Sequence, residues 1–246
     1  MTAASPSHAL FLTAHWANLT LLTYRVPPRA LEPYLPPGTE PDVQDGSAFA
    51  SLVGFDFLDT RVLGIPWPGF RNFPEFNLRL YVRRGEERGV VFVREIVPQR
   101  FVAWVARTLY GEPYYAAPIH NERTETSDRL AMTYRFTWQG RPQTMHVEGA
   151  KPATTPGLSS DAHYFKEHQW GFGTTRTGKI IRYEVAHPTW RTYNVQSYRL
   201  DLDWAHVYGP GWAFLQDEEP FSVVLAEGSD VRVYWRSGLG KRTSNS

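Results

Sequence analysis

The sequence predicts an α+β protein that is mostly β, with a few short helices and an antiparallel sheet that is closed or nearly closed on itself. Aromatic residues make up 15% of the chain, and such side chains fit strand surfaces and line ligand cavities. Alternating apolar stretches are separated by short turns. No linker divides the 246 residues. We therefore expect one domain over 1–246, with loose termini at 1–14 and 238–246.

Composition and charge exclude several classes of function. The net charge is +1, so no field attracts nucleic acid or an anionic membrane surface. The absence of cysteine excludes disulfides, thiolate metal sites and cysteine nucleophiles. The first residues lack a secretion-signal pattern, and no apolar run is long enough to span a bilayer. We expect a cytoplasmic protein whose partner is a small molecule, and we leave open whether it forms a homo-oligomer.

The first 110 residues predict strands and one helix. Alternating apolar residues indicate strands at 18–26 and 46–57, and two proline pairs between them enclose a short helical turn. A hairpin is predicted from 73–82 and 89–97, with a glycine in its turn. Pro98 suits the start of a helix, and apolar residues then recur at helical spacing: Phe101, Val102, Val105 and Leu109.

The rest of the chain predicts further strands and a second short helix. A hairpin joins 129–139 to 143–148 through a turn with a glycine. The composition of 151–161 indicates a loop, and Asp161 at its end is expected to cap a helix over 162–168. Four more strands are predicted, at 179–186, 193–201, 222–227 and 231–235.

Four polar residues of the first hairpin are the main candidates for a site. Glu75, Asn77 and Arg79 occupy alternate positions, so their side chains leave the strand on one face. In a pocket, Glu75 would be an acid or base, Asn77 a polar positioner and Arg79 the partner of an anionic group. On the next strand, only one of Arg94 and Glu95 can join the same face, and Glu95 is the more unusual because it is in step with apolar residues. The alternative is a solvated strand face, which is common in antiparallel sheets.

Three candidates follow at the helices. Arg107 lies in the first predicted helix and Tyr115 just after it, and we retain both as binding candidates, although surface packing explains them better. His163 and Glu167 would share one face of the second helix, a spacing that suits two metal ligands. No third ligand is evident, so we expect no metal, and a capped helix with solvated histidines is favoured. Glu167 remains a binding candidate.

The motif VAHPTW supplies the last candidates. His187 precedes Pro188, which favours an extended conformation at a strand end. There His187 would act as a general base or donate to a ligand, with Trp190 beside it. A structural histidine is the alternative.

Several segments together resemble the YqjF-like family of uncharacterised bacterial proteins. They are FPEFNLRLYV and GVVFVREI in the hairpin, AR at 106–107, EPYYAA at 112–117 and HYFKEHQWGFGTTRTGKIIRYEVAHPTW at 163–190. The likeness covers roughly residues 14–235. His168 and Gln169 stand where the family has Arg-Tyr, and Thr189 intrudes in the family's His-Pro-Trp-like motif.

The resemblance implies the acetoacetate decarboxylase-like fold, a cone-shaped antiparallel β-barrel with its site inside. Glu75 falls near the active-site glutamate of the decarboxylase. That enzyme forms a Schiff base from a lysine, but the matching positions here fall near Phe101 and Val102, and no lysine occurs within 1–150. We therefore do not expect classical decarboxylase activity.

Two functions are compatible with these features of the sequence. The first is an enzyme of lyase or hydrolase type that acts on a small carbonyl or carboxylate compound in the barrel pocket, without a Schiff-base lysine or a cofactor. The second is a non-catalytic protein of the same fold that binds a small molecule. A structural or interaction protein with a merely solvated strand face ranks third, and it predicts no enclosed pocket.

Overall fold

A computed structural model describes residues 9–109, 111–157, 160–166, 168–175 and 177–238. Three short 3-10 helices lie at Pro28–Ala30, Glu32–Tyr34 and Pro210–Leu215. The α-helices are α1 (Arg100–Leu109), α2 (Asp161–Lys166) and α3 (Trp204–Tyr208). The strands are β1 (Leu10–Val26), β2 (Glu40–Pro41), β3 (Ala48–Val62), β4 (Phe73–Arg84), β5 (Glu87–Val97), β6 (Tyr114–Ala116), β7 (Ile119–Glu125), β8 (Arg129–Trp138), β9 (Arg141–Thr154), β10 (Trp170–Thr174), β11 (Ile180–Ala186), β12 (Thr192–Asp201), β13 (Ser222–Tyr234) and β14 (Ser237–Gly238).

Seven of these strands form a closed ring. The hydrogen-bonded order runs β11, β10, β5, β4, β3, β1 and β13, and β13 then pairs with β11. The closing pairs are Val185 with Val233 and Ala186 with Arg232. All pairings in the ring are antiparallel except β5 with β10. The ring confirms the mostly antiparallel sheet closed on itself.

The main hydrophobic core lies on the outer face of the ring. Strands β12, β9, β8 and β7 extend the sheet beyond β13. The apolar row of β4, which includes Phe76, packs toward this extension, and the rings of Phe76 and Phe136 are 4.8 Å apart. Because apolar side chains cover this face, the opposite row of β4, with Glu75, Asn77 and Arg79, faces the inside of the ring.

A second apolar cluster lines the inside of the ring. It contains Leu19 and Leu21 of β1, Val53 and Phe55 of β3, and Trp190. Helix α1 lies over one end of the ring and contributes Ala103 to this cluster. The interior side chains do not fill the ring, and the space that remains is the cavity described below.

Most of the predicted elements are present. The β4–β5 hairpin turns at Gly85, whose φ of 64° suits glycine. The β8–β9 hairpin turns at Gly140 in the same way. Helix α1 follows Pro98, and the proline-rich segment forms two of the 3-10 helices. Local patterns specify these elements because their contacts are close in sequence.

Several boundaries were wrong. Strand β1 begins at Leu10, so residues 10–14 are not a loose lead-in, and they pair with β13. Strand β9 continues through Thr154 into the predicted loop, because its end pairs with β12. Long-range pairing extends both strands beyond their local pattern.

Other differences concern β13 and α2. Residues 222–227 and 231–235 form one strand rather than two, with Gly228 at φ 91° inside it. Helix α2 is capped by Ser160, whose hydroxyl oxygen accepts from the backbone N–H of His163 at 3.2 Å, and not by Asp161. The sequence did not predict β6, β7, β10 or α3. Among the described helices, none is long and apolar enough to cross a membrane.

Candidate functional site

The ring encloses a cavity of about 370 Å³. Most of its lining is apolar, and polar side chains are concentrated on β4, β5 and the segment after α1. The most enclosed polar lining residues are each between 2% and 5% exposed, and they are Thr60, Glu75, Asn77, Glu95 and Glu112. A largely apolar cavity with a few convergent polar groups is the usual form of a small-molecule site.

Glu75 and Asn77 form the centre of the polar lining. The Asn77 side-chain amide donates to Glu75 Oε1 at 2.9 Å. The Tyr114 hydroxyl donates to Glu75 Oε2 at 2.9 Å. Burial raises the pKa of Glu75 to about 7, although both hydrogen bonds oppose the shift. The buried position of this row rules out the solvated strand face.

Glu95 joins the same face because it is directly opposite Asn77 in the β4–β5 ladder. Tyr114 of β6 is paired with Glu95 along the other edge of β5. Burial raises the pKa of Glu95 well above its usual range, and the nearby carboxyl groups of Glu112 and Glu75 raise it further. The in-step glutamate that looked unusual in the sequence is therefore a cavity residue.

Glu112 reaches the cavity from the segment between α1 and β6. Gly111 before it has φ 70°, and a Cβ there would lie 2.8 Å from the Thr174 carbonyl oxygen, so the position requires glycine. Burial raises the pKa of Glu112 to about 8, and a hydrogen bond with Tyr183 opposes the shift. The Tyr183 ring lies against Gly171, where a Cβ would be 2.2 Å from the ring.

Glu75, Glu95 and Glu112 are called the acidic cluster below. Within the described residues, no arginine, lysine or histidine forms an ion pair with any of the three. Two buried oxygens, Glu95 Oε2 and Glu112 Oε1, have no hydrogen-bond partner among the described residues, and neither has Asn77 Oδ1. The cluster therefore holds more acceptors than the described chain satisfies.

Arg79 and His168 line a different part of the cavity. The Arg79 guanidinium donates to the Phe165 carbonyl at 2.5 Å and to the Tyr81 hydroxyl at 3.3 Å. No acidic side chain in the described chain pairs with it. His168, which follows α2, packs against the Tyr81 ring, and both of its ring nitrogens are buried. Burial and the charges of Arg79 and Arg88 lower its pKa to about 3, so the prediction of a solvated histidine was wrong.

His187 and Trp190 lie on the aromatic wall of the cavity. Their rings are stacked with centroids 4.2 Å apart. The Trp190 indole N–H donates to the Ser229 hydroxyl at 2.7 Å, and Trp16 contacts Trp190 with ring centroids 6.2 Å apart. Both residues therefore line the cavity, as part of its wall.

Three predicted site residues do not line the cavity or lie outside the described chain. Arg107 is exposed on α1 and lies over the Tyr115 ring. Tyr115 is 39% exposed and packs against Trp138, on the other side of β6 from Tyr114. Glu167 lies outside the described residues. His163 is described, and no group of three or more metal-ligating side chains occurs in the described chain.

Four residues of the site were missed: Glu112, Tyr114, His168 and Tyr183. They lie on separate segments that only the fold brings together. One signal was available, since EPYYAA contains both Glu112 and Tyr114 and was part of the family resemblance. Nothing local marked Tyr183, which reads as an ordinary strand residue.

No lysine is among the described residues that line the cavity. Phe101 and Val102 line it, which are the positions near which the decarboxylase lysines were expected. An imine formed with a lysine at these two positions is therefore excluded.

Comparison with protein families shows which family the chain belongs to. Residues 13–230 match the DUF2071 family, described as an uncharacterized conserved protein. The chain belongs to this family. The uncharacterized protein YqjF of Bacillus subtilis (strain 168) is 26% identical over 190 residues, which cover 76% of this chain and 73% of the relative.

Solved structures show the same fold at low sequence identity. An acetoacetate decarboxylase-like enzyme from Sphingomonas wittichii RW1 gives a TM-score of 0.66 at 15% identity, covering 97% of this chain and 96% of that one. Acetoacetate decarboxylase from Legionella pneumophila gives 0.66 at 15%, covering 98% and 92%. The enduracididine biosynthesis enzyme MppR, complexed with pyruvate, gives 0.64 at 16%, covering 98% and 94%. The expected acetoacetate decarboxylase-like fold is confirmed.

Proposed function

We propose that the protein is an enzyme that moves a proton on a small carbonyl or carboxylate compound, with Glu75 as its acid–base group. The observation that carries the proposal is the state of the Glu75 carboxyl. It is buried beside an apolar cavity, oriented by Asn77 and Tyr114, and its pKa is raised to about 7. A group that titrates near neutral pH both accepts and donates a proton efficiently.

The chemistry follows from the roles of the three carboxyl groups. The ionised Glu75 would take a proton from the carbon next to a carbonyl group, and the electron pair would move to the carbonyl oxygen. Burial raises the pKa of Glu95 and of Glu112 and so favours their protonated forms, and a protonated carboxyl group can donate a hydrogen bond to that oxygen. Return of the proton from Glu75 would complete the reaction.

Arg79 supports an anionic group on the substrate. Its guanidinium lines the cavity and lacks an acidic partner in the described chain, so a carboxylate would complete its pairing. MppR, which has the same fold, has been solved with pyruvate, a compound with adjacent carbonyl and carboxylate groups.

Proton exchange in D₂O tests the proposal. Pyruvate and a panel of small ketones and 2-oxo acids would be incubated with the protein, and loss of their α-proton signals followed by NMR. We expect the wild type to accelerate exchange for at least one compound, and Glu75→Gln to slow it by roughly 100-fold or more. Glu86→Gln, in the exposed β4–β5 turn, is the matched control. Absence of acceleration across the whole panel would contradict the proposal.

The aromatic wall favours a second candidate, a non-catalytic protein that binds a small aromatic or apolar metabolite. Trp16 contacts Phe55 and Trp190, with ring centroids 4.9 Å and 6.2 Å away. This candidate predicts ligand binding that survives Glu75→Gln, with no exchange or turnover by the wild type. Any turnover that Glu75→Gln abolishes would exclude it.

A further inference from the structure

We propose that the acidic cluster binds a basic nitrogen group of the ligand, an ammonium, amidinium or guanidinium. The inference deepens the proposed function, because it names a second functional group of the substrate. It rests on that function only in taking the ring cavity as the ligand site.

The first argument is the charge of the acidic cluster. Glu75, Glu95 and Glu112 line one cavity, and ionisation of one carboxyl raises the pKa of another, so the cluster resists ionisation without a cation beside it. A cationic ligand would lower these pKa values and bind the ionised carboxylates. No cationic side chain of the described chain pairs with them, whereas buried carboxylates in proteins normally have a cationic partner. A ligand that brings a positive charge would supply the missing partner.

The second argument is the geometry of the unpartnered acceptors. Glu75 already accepts one hydrogen bond at each carboxylate oxygen. Glu95 Oε2 and Glu112 Oε1 are buried and accept no hydrogen bond from the part of the chain that the structure describes. A group with several N–H donors satisfies two such oxygens at once, which a single carbonyl oxygen cannot do, since it is itself an acceptor.

Asn77 gives an independent third argument. Its amide nitrogen donates to Glu75, which fixes the orientation of the amide. Its Oδ1 is therefore the acceptor end of the amide, and in the cavity lining it is buried without a partner among the residues described. Asn77 is neutral and is not part of the acidic cluster, yet it also requires a hydrogen-bond donor beside that cluster. A buried acceptor without a hydrogen bond raises the free energy of the protein. A ligand donor that bonds to it therefore contributes to the binding free energy without replacing an existing hydrogen bond.

The apolar wall defines the rest of the ligand. Phe55 is directly opposite Glu75 in the β3–β4 ladder, and Trp16 packs on Phe55. A basic nitrogen group in the acidic cluster would therefore place the carbon skeleton of the ligand against aromatic rings. The chemical class is a small amine, amidine or guanidine with an apolar or aromatic body.

Calorimetric titration with benzamidine and with benzamide tests the inference, because the two probes share shape but differ in charge. We expect benzamidine to bind wild-type protein at least tenfold more tightly than benzamide. We expect Glu95→Gln and Glu112→Gln each to weaken benzamidine binding by about tenfold, which corresponds to one hydrogen bond to a charged group. Glu86→Gln should leave the affinity unchanged.

Equal binding of the two probes would overturn the inference, as would unchanged benzamidine binding in both glutamine variants. The comparison of probes on the wild-type protein does not depend on the variants folding. Failure here is separable from failure of the proposed function, because proton exchange on carbonyl compounds is measured without benzamidine. If the protein accelerates proton exchange but does not prefer benzamidine to benzamide, the proposed function is retained and only this inference is rejected.

Discussion

At the scale of single residues, the environment of Glu75 decides what the cavity can do. The side chain lies on a strand whose opposite row is packed in the main core, so its face is set by alternation. Its neighbours Asn77 and Tyr114 stabilise the ionised form, and burial opposes it. The balance leaves a carboxyl that titrates near neutral pH, as acid–base catalysis requires.

Tyr114→Phe is expected to raise the pKa of Glu75 above about 7, because it removes a hydrogen bond that lowers that pKa. The loss of one hydrogen bond corresponds to a shift of roughly half a unit to one unit. NMR titration of the labelled carboxyl carbon measures the shift. Tyr115→Phe is the matched control, since Tyr115 does not line the cavity, and an unchanged pKa in Tyr114→Phe would contradict the assignment.

At the scale of elements, close packing between β10 and β11 holds Tyr183 in place. Gly171 of β10 is directly opposite Tyr183 of β11, and the ring occupies the space that a side chain would fill. Tyr183 in turn holds Glu112 by a hydrogen bond. A glycine on a neighbouring strand therefore contributes to the position of a cavity carboxyl.

Gly171→Ala is expected to destabilise the protein by about 1–3 kcal/mol, because its Cβ would overlap the Tyr183 ring and force it to move. Urea denaturation measures the change in the free energy of unfolding. Gly157→Ala is the control, since no atom of the described residues lies within 4 Å of a Cβ at position 157. A loss of unfolding free energy no larger than that of the control would show that β10 and β11 accommodate the added methyl group without destabilising the protein.

At the scale of the whole molecule, ring closure determines where the polar residues meet. Strand β11 joins β13 through two residue pairs, and β10 joins β5 through two more. These short pairings bring β11, which carries Tyr183, to the side of the ring that contains β4 and β5. The same closure encloses the carboxyl groups and raises their pKa values.

The pH dependence of stability is expected to change in Glu112→Gln. The unfolded Glu112 ionises near its ordinary pKa of 4.5, whereas the folded group keeps its proton until about pH 8. Between these values the unfolded state binds fewer protons, so Glu112 lowers wild-type stability as pH rises. Relative to wild type, the variant should gain up to about 1.4 kcal/mol per pH unit across this window.

Denaturation of both proteins at pH 5, 6, 7 and 8 measures this difference, and comparison with wild type cancels the contributions of groups that do not interact with Glu112. Glu122→Gln, on exposed β7, is the control and should track wild type from pH 5 to 8. A constant difference between Glu112→Gln and wild type would contradict a raised pKa for Glu112.

The candidate site could be predicted from the sequence only along single strands. Alternation was enough to place Glu75, Asn77 and Arg79 on one face, whereas the in-step position of Glu95 marked it only as unusual. Glu112 and His168 follow helices, where no periodicity specifies a side-chain direction. Arg107 and Tyr115 were selected from their neighbourhood in the chain, but the fold turns both away from the cavity.

The sequence by itself determined the strand periodicity, the two tight hairpins, helix α1 and the absence of a lysine from the first 150 residues. These features depend on interactions between residues that are close in the chain. Only the tertiary structure decided that the polar row of β4 is enclosed rather than solvated, and that Glu112 and Tyr183 join it. The physical reason is that burial, and with it the pKa of each carboxyl, depends on ring closure between strands far apart in sequence.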